Sequence, residues 1–443
     1  MMRPGNEKSR GQMTGQKTEG VLTLPRTSSR SRRRAGSSTT ALERWLVRGL
    51  HGMLGRPAIS FVLWDGYRVP EVPPSTSTVA TMRIADRRTL WRLLANPALN
   101  FGDDYSNGLI EIDGPLVEFV EALVRAVYVT RKGGLRERLA VNRPMWRRRN
   151  SLAESRGNIH HHYDLGNDFY RLWLDEEMVY TCAYFADPSM TLEAAQVAKM
   201  DHVCRKLQLR PGETVVEAGC GWGALSLHMA RRYGAKVTAF NISREQIEYA
   251  RARARGEGLD SLVTFVEDDY RNISGKYDVF VSVGMLEHVG RDYHREFGRA
   301  IDRSLGSEGR GLVHSIAQWR SFPVNAWLER RIFPGSYPPT LREMAAILEP
   351  IHCTVTDVEN LRQHYALTLR HWLARFEEHS GEIEARYGEA FVRAWRLYLS
   401  GSIANFNANC LALYQMLFTR VARTQTPWTR AYLYASDPAR PAT

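Results

Sequence analysis

Glu217 follows Val215-Val216, and Ala218 then leads into Gly219-Cys220-Gly221-Trp222-Gly223. An apolar strand, an acidic residue and a Gly-x-Gly-x-Gly turn ahead of a helix set backbone N–H groups and a helix N-terminus against a ligand. The spacing is not the full GxGxxG of a dinucleotide site. About 20 positions on, where an acidic residue would hold the ribose of NAD, stands Asn241. Glu217 instead suits a ligand with a cationic amino-acid end, which S-adenosylmethionine has. After the third apolar run come Glu267-Asp268-Asp269-Tyr270-Arg271. Carboxylates there could receive an adenine amino group, and Asp268 and Asp269 could equally cap a turn.

Two further residues could move a proton. Glu287 follows the fourth apolar run and His314 lies in the fifth, so both fall toward the carboxyl end of the expected sheet, where ligands bind. A carboxylate with a positioned imidazole can serve as a base. His160-His161-His162 invites a metal reading, yet consecutive residues cannot all face one ion from a regular strand or helix. No matching Cys/His cluster stands elsewhere, so no metal is expected. Cys182 belongs to no ordered Cys-His-Asn arrangement, and its expected role is positional.

These residues need a scaffold that brings strand ends together. Short β-rich runs at 214–218, 236–240, 262–266, 277–283 and 311–317 alternate with helical patterns at 224–233, 245–254 and 293–305. Such alternation predicts an α/β fold with a doubly wound, mostly parallel sheet. Upstream, strand-like runs at 59–64 and 109–112 mix with helical ones at 89–94 and 116–128, which predicts a small α+β domain over 41–130. At 41–54, Leu42, Trp45, Leu46, Leu50, Met53 and Leu54 recur at helical spacing, with Arg44 and Arg48 on the other side. That helix packs on its own domain or lies on a lipid surface. A Pro- and aromatic-rich stretch near 318–345 is expected as a lid within a domain spanning 157–425, ahead of a tail at 426–443.

At 443 residues the chain can hold two or three domains, and 44% apolar with 24% charged residues excludes a disordered or fibrous class. No apolar stretch is long enough to span a bilayer. The five cysteines are odd in number and scattered, so a reducing, cytoplasmic setting is the simplest expectation. Of the net charge of +12, residues 1–40 carry +7 and residues 131–156 another +7, leaving the remainder at −2. The first segment reads as a disordered basic tail and the second as a basic linker. Such segments attract polyanions. No RNA-binding signature accompanies them, so an anionic membrane surface is expected rather than a specific nucleic acid.

The nine residues from His162 to Tyr170, then Met178-Val179-Tyr180-Thr181-Cys182-Ala183-Tyr184-Phe185, the glycine turn, Gly284-Met285-Leu286-Glu287-His288-Val289-Gly290 and Glu359-Asn360-Leu361-Arg362-Gln363-His364-Tyr365 occur in one order. Together they resemble the cyclopropane-fatty-acyl-phospholipid synthase family over roughly residues 58–420. The resemblance implies a class I, Rossmann-like methyltransferase domain. It also implies methyl transfer from S-adenosylmethionine to a cis double bond of a phospholipid acyl chain at the membrane surface. It further implies a bicarbonate ion acting as base, held by Cys182, Glu287, His314, Ile316 and Tyr365, with Cys182 and Ile316 contributing mainly through the backbone. Tyr180, Thr181, Gly219, Gly221, Gln246, Asp269 and Tyr270 map onto its cofactor motifs, beside Glu217, Gly223, Asn241 and Asp268 of the strand ends. Relatives suggest a homodimer. Two positions depart from the family pattern: Asn241 replaces a usual threonine, and Asn407 a usual arginine. Tyr184, Phe185, Trp319 and Phe322 are expected to line an apolar channel for the acyl chain. Alternatives are a related enzyme giving a methylene or methyl-branched chain, and a methyltransferase for another small molecule.

Overall fold

In the computed structural model, which describes residues 38–70, 78–129 and 165–434, the alternating runs form a seven-stranded sheet. Its strands are β5 (Thr214–Ala218), β6 (Lys236–Asn241), β7 (Val263–Glu267), β8 (Tyr277–Val283), β9 (Leu305–Gln318), β10 (Cys353–Asn360) and β11 (Leu411–Arg420), in the order β10-β11-β9-β8-β5-β6-β7. The chain winds outward from β5 through β6 to β7, then returns to lay β8 on the other side of β5. β5 to β9 run parallel, and β11 inserts antiparallel between β9 and β10. Alternate residues face opposite cores. Val215, Val279 and Leu312 enter one cluster, and Val216, Phe280 and Val313 the other. Both faces are thus covered, as a parallel sheet requires.

A separate four-stranded sheet, ordered β2-β1-β3-β4, is built from β1 (Ile59–Val62), β2 (Arg68–Val69), β3 (Ala80–Ile84) and β4 (Ile110–Asp113). Four helices accompany it: α1 (Ala41–Met53), α2 (Arg87–Ala95), α3 (Pro97–Ser106) and α4 (Leu116–Val124). These elements fall within the stretch read from the sequence as a small α+β domain. Thr40 and Glu43 start α1 with a reciprocal capping box. Val47 and His51 of this helix are buried and Glu43 pairs with Arg87, while Leu42, Trp45 and Met53 stay exposed. One stripe packs on the domain, as one of the two expectations has it, and another faces outward.

The larger domain carries α5 (Asn167–Arg171), α6 (Leu192–Lys206), α7 (Ala224–Tyr233), α8 (Arg244–Gly256), α9 (Leu286–Val289), α10 (His294–Ser304), α11 (Ala326–Arg331) and α12 (Leu341–Leu348). Between β10 and β11 come α13 (Arg362–Glu378), α14 (Ser380–Tyr387) and α15 (Glu389–Asn407). α3 and α4 pack on α15. Arg393 of α15 donates to the carbonyls of Tyr105 and Ile110, and Arg331 of α11 grips Asp103 of α3 with bonds of 3.0 and 2.9 Å. Gly102 lets the Trp327 indole come close, since an added Cβ would sit 2.4 Å from the ring. The tail up to residue 37, the linker 131–156, His160–His162 and residues 435–443 lie outside the described residues.

Candidate active site

The reversal of strand order between the parallel neighbours β5 and β8 opens a crevice at the carboxyl end of the sheet. After β5 the backbone turns at Gly221 (φ +53°), where a Cβ would meet nothing within 4 Å and would project into free space. Gly223 differs. It holds φ +85° at the start of α7, and a Cβ there would fall 2.6 Å from the Phe265 ring. Gly221 keeps room for a ligand, and Gly223 lets α7 pack on β7.

Tyr180, Thr181, Glu217, Gly219, Gly221, Asn241 and Gln246 all line the cavity over this turn, together with Lys199, Trp222, Met285 and His288. Asn241 Nδ2 donates to Gln246 Oε1 (2.7 Å), so the two amides hold one another. Glu217 is buried and accepts a bond from the Ser226 hydroxyl. Burial pushes its carboxyl up to about 7. Gly223, Asp268, Asp269 and Tyr270 are not among the lining residues. Gly223 is a packing position. Asp269 is taken by Arg271 through bonds of 2.8 and 3.0 Å. Asp268 caps the turn through the Asp269 N–H and the Asn272 amide, and the Tyr270 ring packs on Phe297.

A second cavity adjoins the first and shares Tyr180, Thr181, Gly284 and His288 with it. Cys182 of a loop, Glu287 of α9, His314 and Ile316 of β9 and Tyr365 of α13 all line it. Glu287 is buried at the start of α9, where Ser315 Oγ (2.9 Å) and the Ile316 N–H (3.3 Å) donate to its oxygens. Burial pushes this carboxyl up to about 7. Across the β9–β11 ladder His314 faces Gln415, whose Nε2 lies 3.1 Å from His314 Nδ1. An amide nitrogen only donates, so Nδ1 accepts and Nε2 carries the proton. That Nε2 is buried without a partner among the described residues. Burial also drives the His314 imidazole well below its ordinary pKa and His288 down to about 4, so both rings are neutral at pH 7. The Cys182 thiol donates to its neighbour's carbonyl and burial pushes it up, which leaves it no nucleophile.

The rest of the second cavity is mostly apolar, but not through the aromatics expected. Tyr184 is sandwiched between His202 (4.1 Å) and His364 (4.9 Å), Phe185 stacks on His371, and Trp319 and Phe322 pack together with Arg320 over them, Trp319 lying exposed. The wall comes instead from Phe333, Tyr398, Phe406, Leu411 and Leu413. Tyr398 Oη also bonds Tyr180 Oη at 2.8 Å. Residues 318–345, the expected lid stretch, contribute Val324, Leu328, Phe333, Ser336 and Pro338 to the same wall. Sequence reasoning missed Lys199, His288 and Tyr398. Lys199 shares the buried stripe with Ala195, Gln196 and Val203 on a helix whose Lys206 is buried too, so local pattern does not single it out.

Residues 150–416, more than half of the chain, match the family described as mycolic acid cyclopropane synthetase. The chain belongs to this family. It is an S-adenosylmethionine-dependent C-methyltransferase of the cyclopropane synthase type, acting on lipid. A probable fatty acid methyltransferase of Pseudomonas putida is 33% identical over 386 residues, covering 84% of this chain and 95% of the relative. The cyclopropane-fatty-acyl-phospholipid synthase of Escherichia coli K12 is 35% identical over 347 residues, covering 78% and 89%. Among solved structures, mycolic acid cyclopropane synthase CmaA1 complexed with SAH and CTAB superposes with a TM-score of 0.57 at 29% identity, over 60% of this chain and 98% of that one. The first cavity fits the family's cofactor: Gly221 leaves room for it, and Glu217 suits its ammonium group.

Proposed function

We propose that this enzyme methylates a cis double bond of an unsaturated phospholipid acyl chain and closes a cyclopropane ring, with a bicarbonate ion as the base. The observation that carries the reading is the junction of the two cavities at Tyr180, Thr181, Gly284 and His288. A polar cofactor cradle there opens directly onto an apolar space with a buried proton-handling cluster. S-adenosylmethionine supplies an electrophilic methyl on a sulfonium. An alkene is a weak nucleophile, so alignment in a dry site does most of the work, and such alignment can contribute ~7–11 kcal/mol. Phe333, Tyr398, Phe406, Leu411 and Leu413 keep water from the cation that methylation leaves on the acyl chain.

That cation must lose a proton from the new methyl group before the ring can close. The lining residues fit a small anion that accepts it: the His314 Nε2–H is buried with no partner among the described residues, and Tyr365 and Glu287 line the same space. In this reading His314 and Tyr365 donate to bicarbonate and Glu287 accepts from its hydroxyl. The substrate lies in a bilayer, and no helix among the described residues is long and apolar enough to cross one. The proposal therefore includes peripheral attachment through the basic segments and the exposed face of α1, at the inner face of the membrane.

A second reading, a methylene or methyl-branched product, keeps the same cofactor and the same cation and differs only in how that cation is resolved. Product analysis separates them. The protein is incubated with S-adenosylmethionine and cis-unsaturated phospholipid vesicles, and the released fatty acids are examined by mass spectrometry and proton NMR. A gain of CH₂ with ring protons is expected. A gain of CH₂ with exocyclic alkene protons, or of CH₄ with a branched methyl in a parallel incubation that also contains a hydride donor, selects the second reading. Unchanged lipid despite cofactor binding rejects both.

A further inference from the structure

Lys199 is 2% exposed and lines the cofactor cavity from α6. Its Nζ donates to Thr181 Oγ1 at 3.0 Å. Among the described residues it has no other hydrogen-bond partner and no carboxylate within ion-pair distance. Asp175 and Glu217 attract it only from further away. A buried ammonium with one neutral partner and no counter-ion destabilises a fold, because the protein has removed its water and put little in return. Other buried cations here do better: Lys206 has Glu359 at 2.6 Å and Arg310 has Glu213 at 2.6 Å. Lys199 is therefore a cation prepared for an anion that the chain itself does not provide.

The cavity indicates which anion. It holds Glu217 as well, and the cofactor's amino-acid end carries an ammonium and a carboxylate on one carbon. We propose that Lys199, through its Nζ and the Thr181 hydroxyl it holds, binds the carboxylate of that amino-acid end, while Glu217 takes the ammonium. The pair reads a zwitterion, each charge meeting its opposite. This rests on the cavity being the cofactor site. A role as catalytic base is a poorer fit, because Lys199 does not line the second cavity, where Glu287 and His314 stand. Burial lowers the Lys199 ammonium to about 8, still mostly charged at pH 7. An arriving carboxylate would secure that charge.

The test uses ligands that differ by one group. S-adenosylhomocysteine, its decarboxylated analogue (amine kept, carboxylate absent) and 5′-methylthioadenosine are titrated into the full-length protein and into Lys199→Met by calorimetry. The wild type is expected to bind S-adenosylhomocysteine at least about tenfold more tightly than the decarboxylated analogue. Lys199→Met should weaken S-adenosylhomocysteine by roughly 30-fold, the scale of losing a buried charge-assisted bond. The other two ligands should stay within about threefold. Without ligand, Lys199→Met should melt at or above the wild-type temperature, since an apolar group replaces an unpaired charge. Equal weakening of all three ligands with a lowered melting temperature would assign Lys199 a structural role and overturn the proposal. Equal wild-type affinities for the first two ligands would overturn it without any variant. Failure of the wild type to bind S-adenosylhomocysteine at all would instead strike at the cofactor assignment beneath it.

Discussion

Burial governs the chemistry of single residues at this site. Glu287 has its oxygens fixed by Ser315 and Ile316, so Glu287→Gln keeps the shape and most of the bonds while losing the acid. Turnover should drop by ~10²–10⁴-fold. S-adenosylhomocysteine affinity should stay within a few-fold, and near-normal turnover would remove Glu287 from the mechanism. The same variant has a stability signature. The carboxyl titrates near 7 in the fold against 4.5 for the ordinary group, so the folded state holds the extra proton between those values. Stability therefore falls as pH rises through this window and levels off above about 7. Glu287→Gln should be more stable than the wild type at pH 8, by ~3 kcal/mol at most, with the gap narrowing toward pH 5. Denaturant titrations at the two pH values check this; a gap that widens toward pH 5 would contradict the assigned direction. Most of the residues that meet at the site were legible in the sequence, because glycines, acids and the ordered motifs mark strand ends. Lys199 and Tyr398 were not, since their significance lies in what packs around them.

Elements were legible where local pattern and tertiary role agree. β5 and β8 are unbroken Val-rich runs because both sheet faces are buried, and they were readable as strands. β11, Leu-Ala-Leu-Tyr-Gln-Met-Leu-Phe-Thr-Arg, contains no Val or Ile and was not. Pairing with β9 along nine residues makes it a strand, with tertiary context overriding propensity. β10 escaped for another reason: it is a half-polar edge strand. The last two glycines of the turn separate helix packing from ligand space. Gly223→Ala should be strongly destabilising or fail to fold, because both φ and the Phe265 contact oppose a Cβ. Gly221→Ala meets open space and should lose only about 1 kcal/mol of stability from its φ, while weakening S-adenosylhomocysteine binding more than tenfold. Thermal melts and calorimetry of the two variants decide this. Equal effects on both measures would show that the turn acts as a unit.

At the scale of the molecule, the small domain is bolted to the catalytic one beside the second cavity. Asp103 is buried, and Arg331, its partner, sits in the segment that walls the acyl space. Arg331→Met strands that carboxylate and should cost about 3 kcal/mol. It should also raise KM for vesicle substrate more than KM for the cofactor, and unchanged kinetics would uncouple domain docking from the wall. Outside this contact, α1 presents Leu42, Trp45 and Met53 to the surroundings. Trp45→Ser with Leu42→Ser should reduce co-sedimentation with anionic vesicles at high salt, where the basic segments are screened. Binding equal to the wild type at both low and high salt would place membrane contact elsewhere. The antiparallel insertion of β11 has a temporal consequence. The cofactor cradle is drawn from residues 178–288, but Leu411 and Leu413 reach the second cavity, and Gln415 reaches His314, only when the chain has been made to β11. During synthesis, a nascent chain would therefore hold every cofactor-cradle residue well before it holds a complete base cluster, and methyl donor could be bound long before any lipid could be altered.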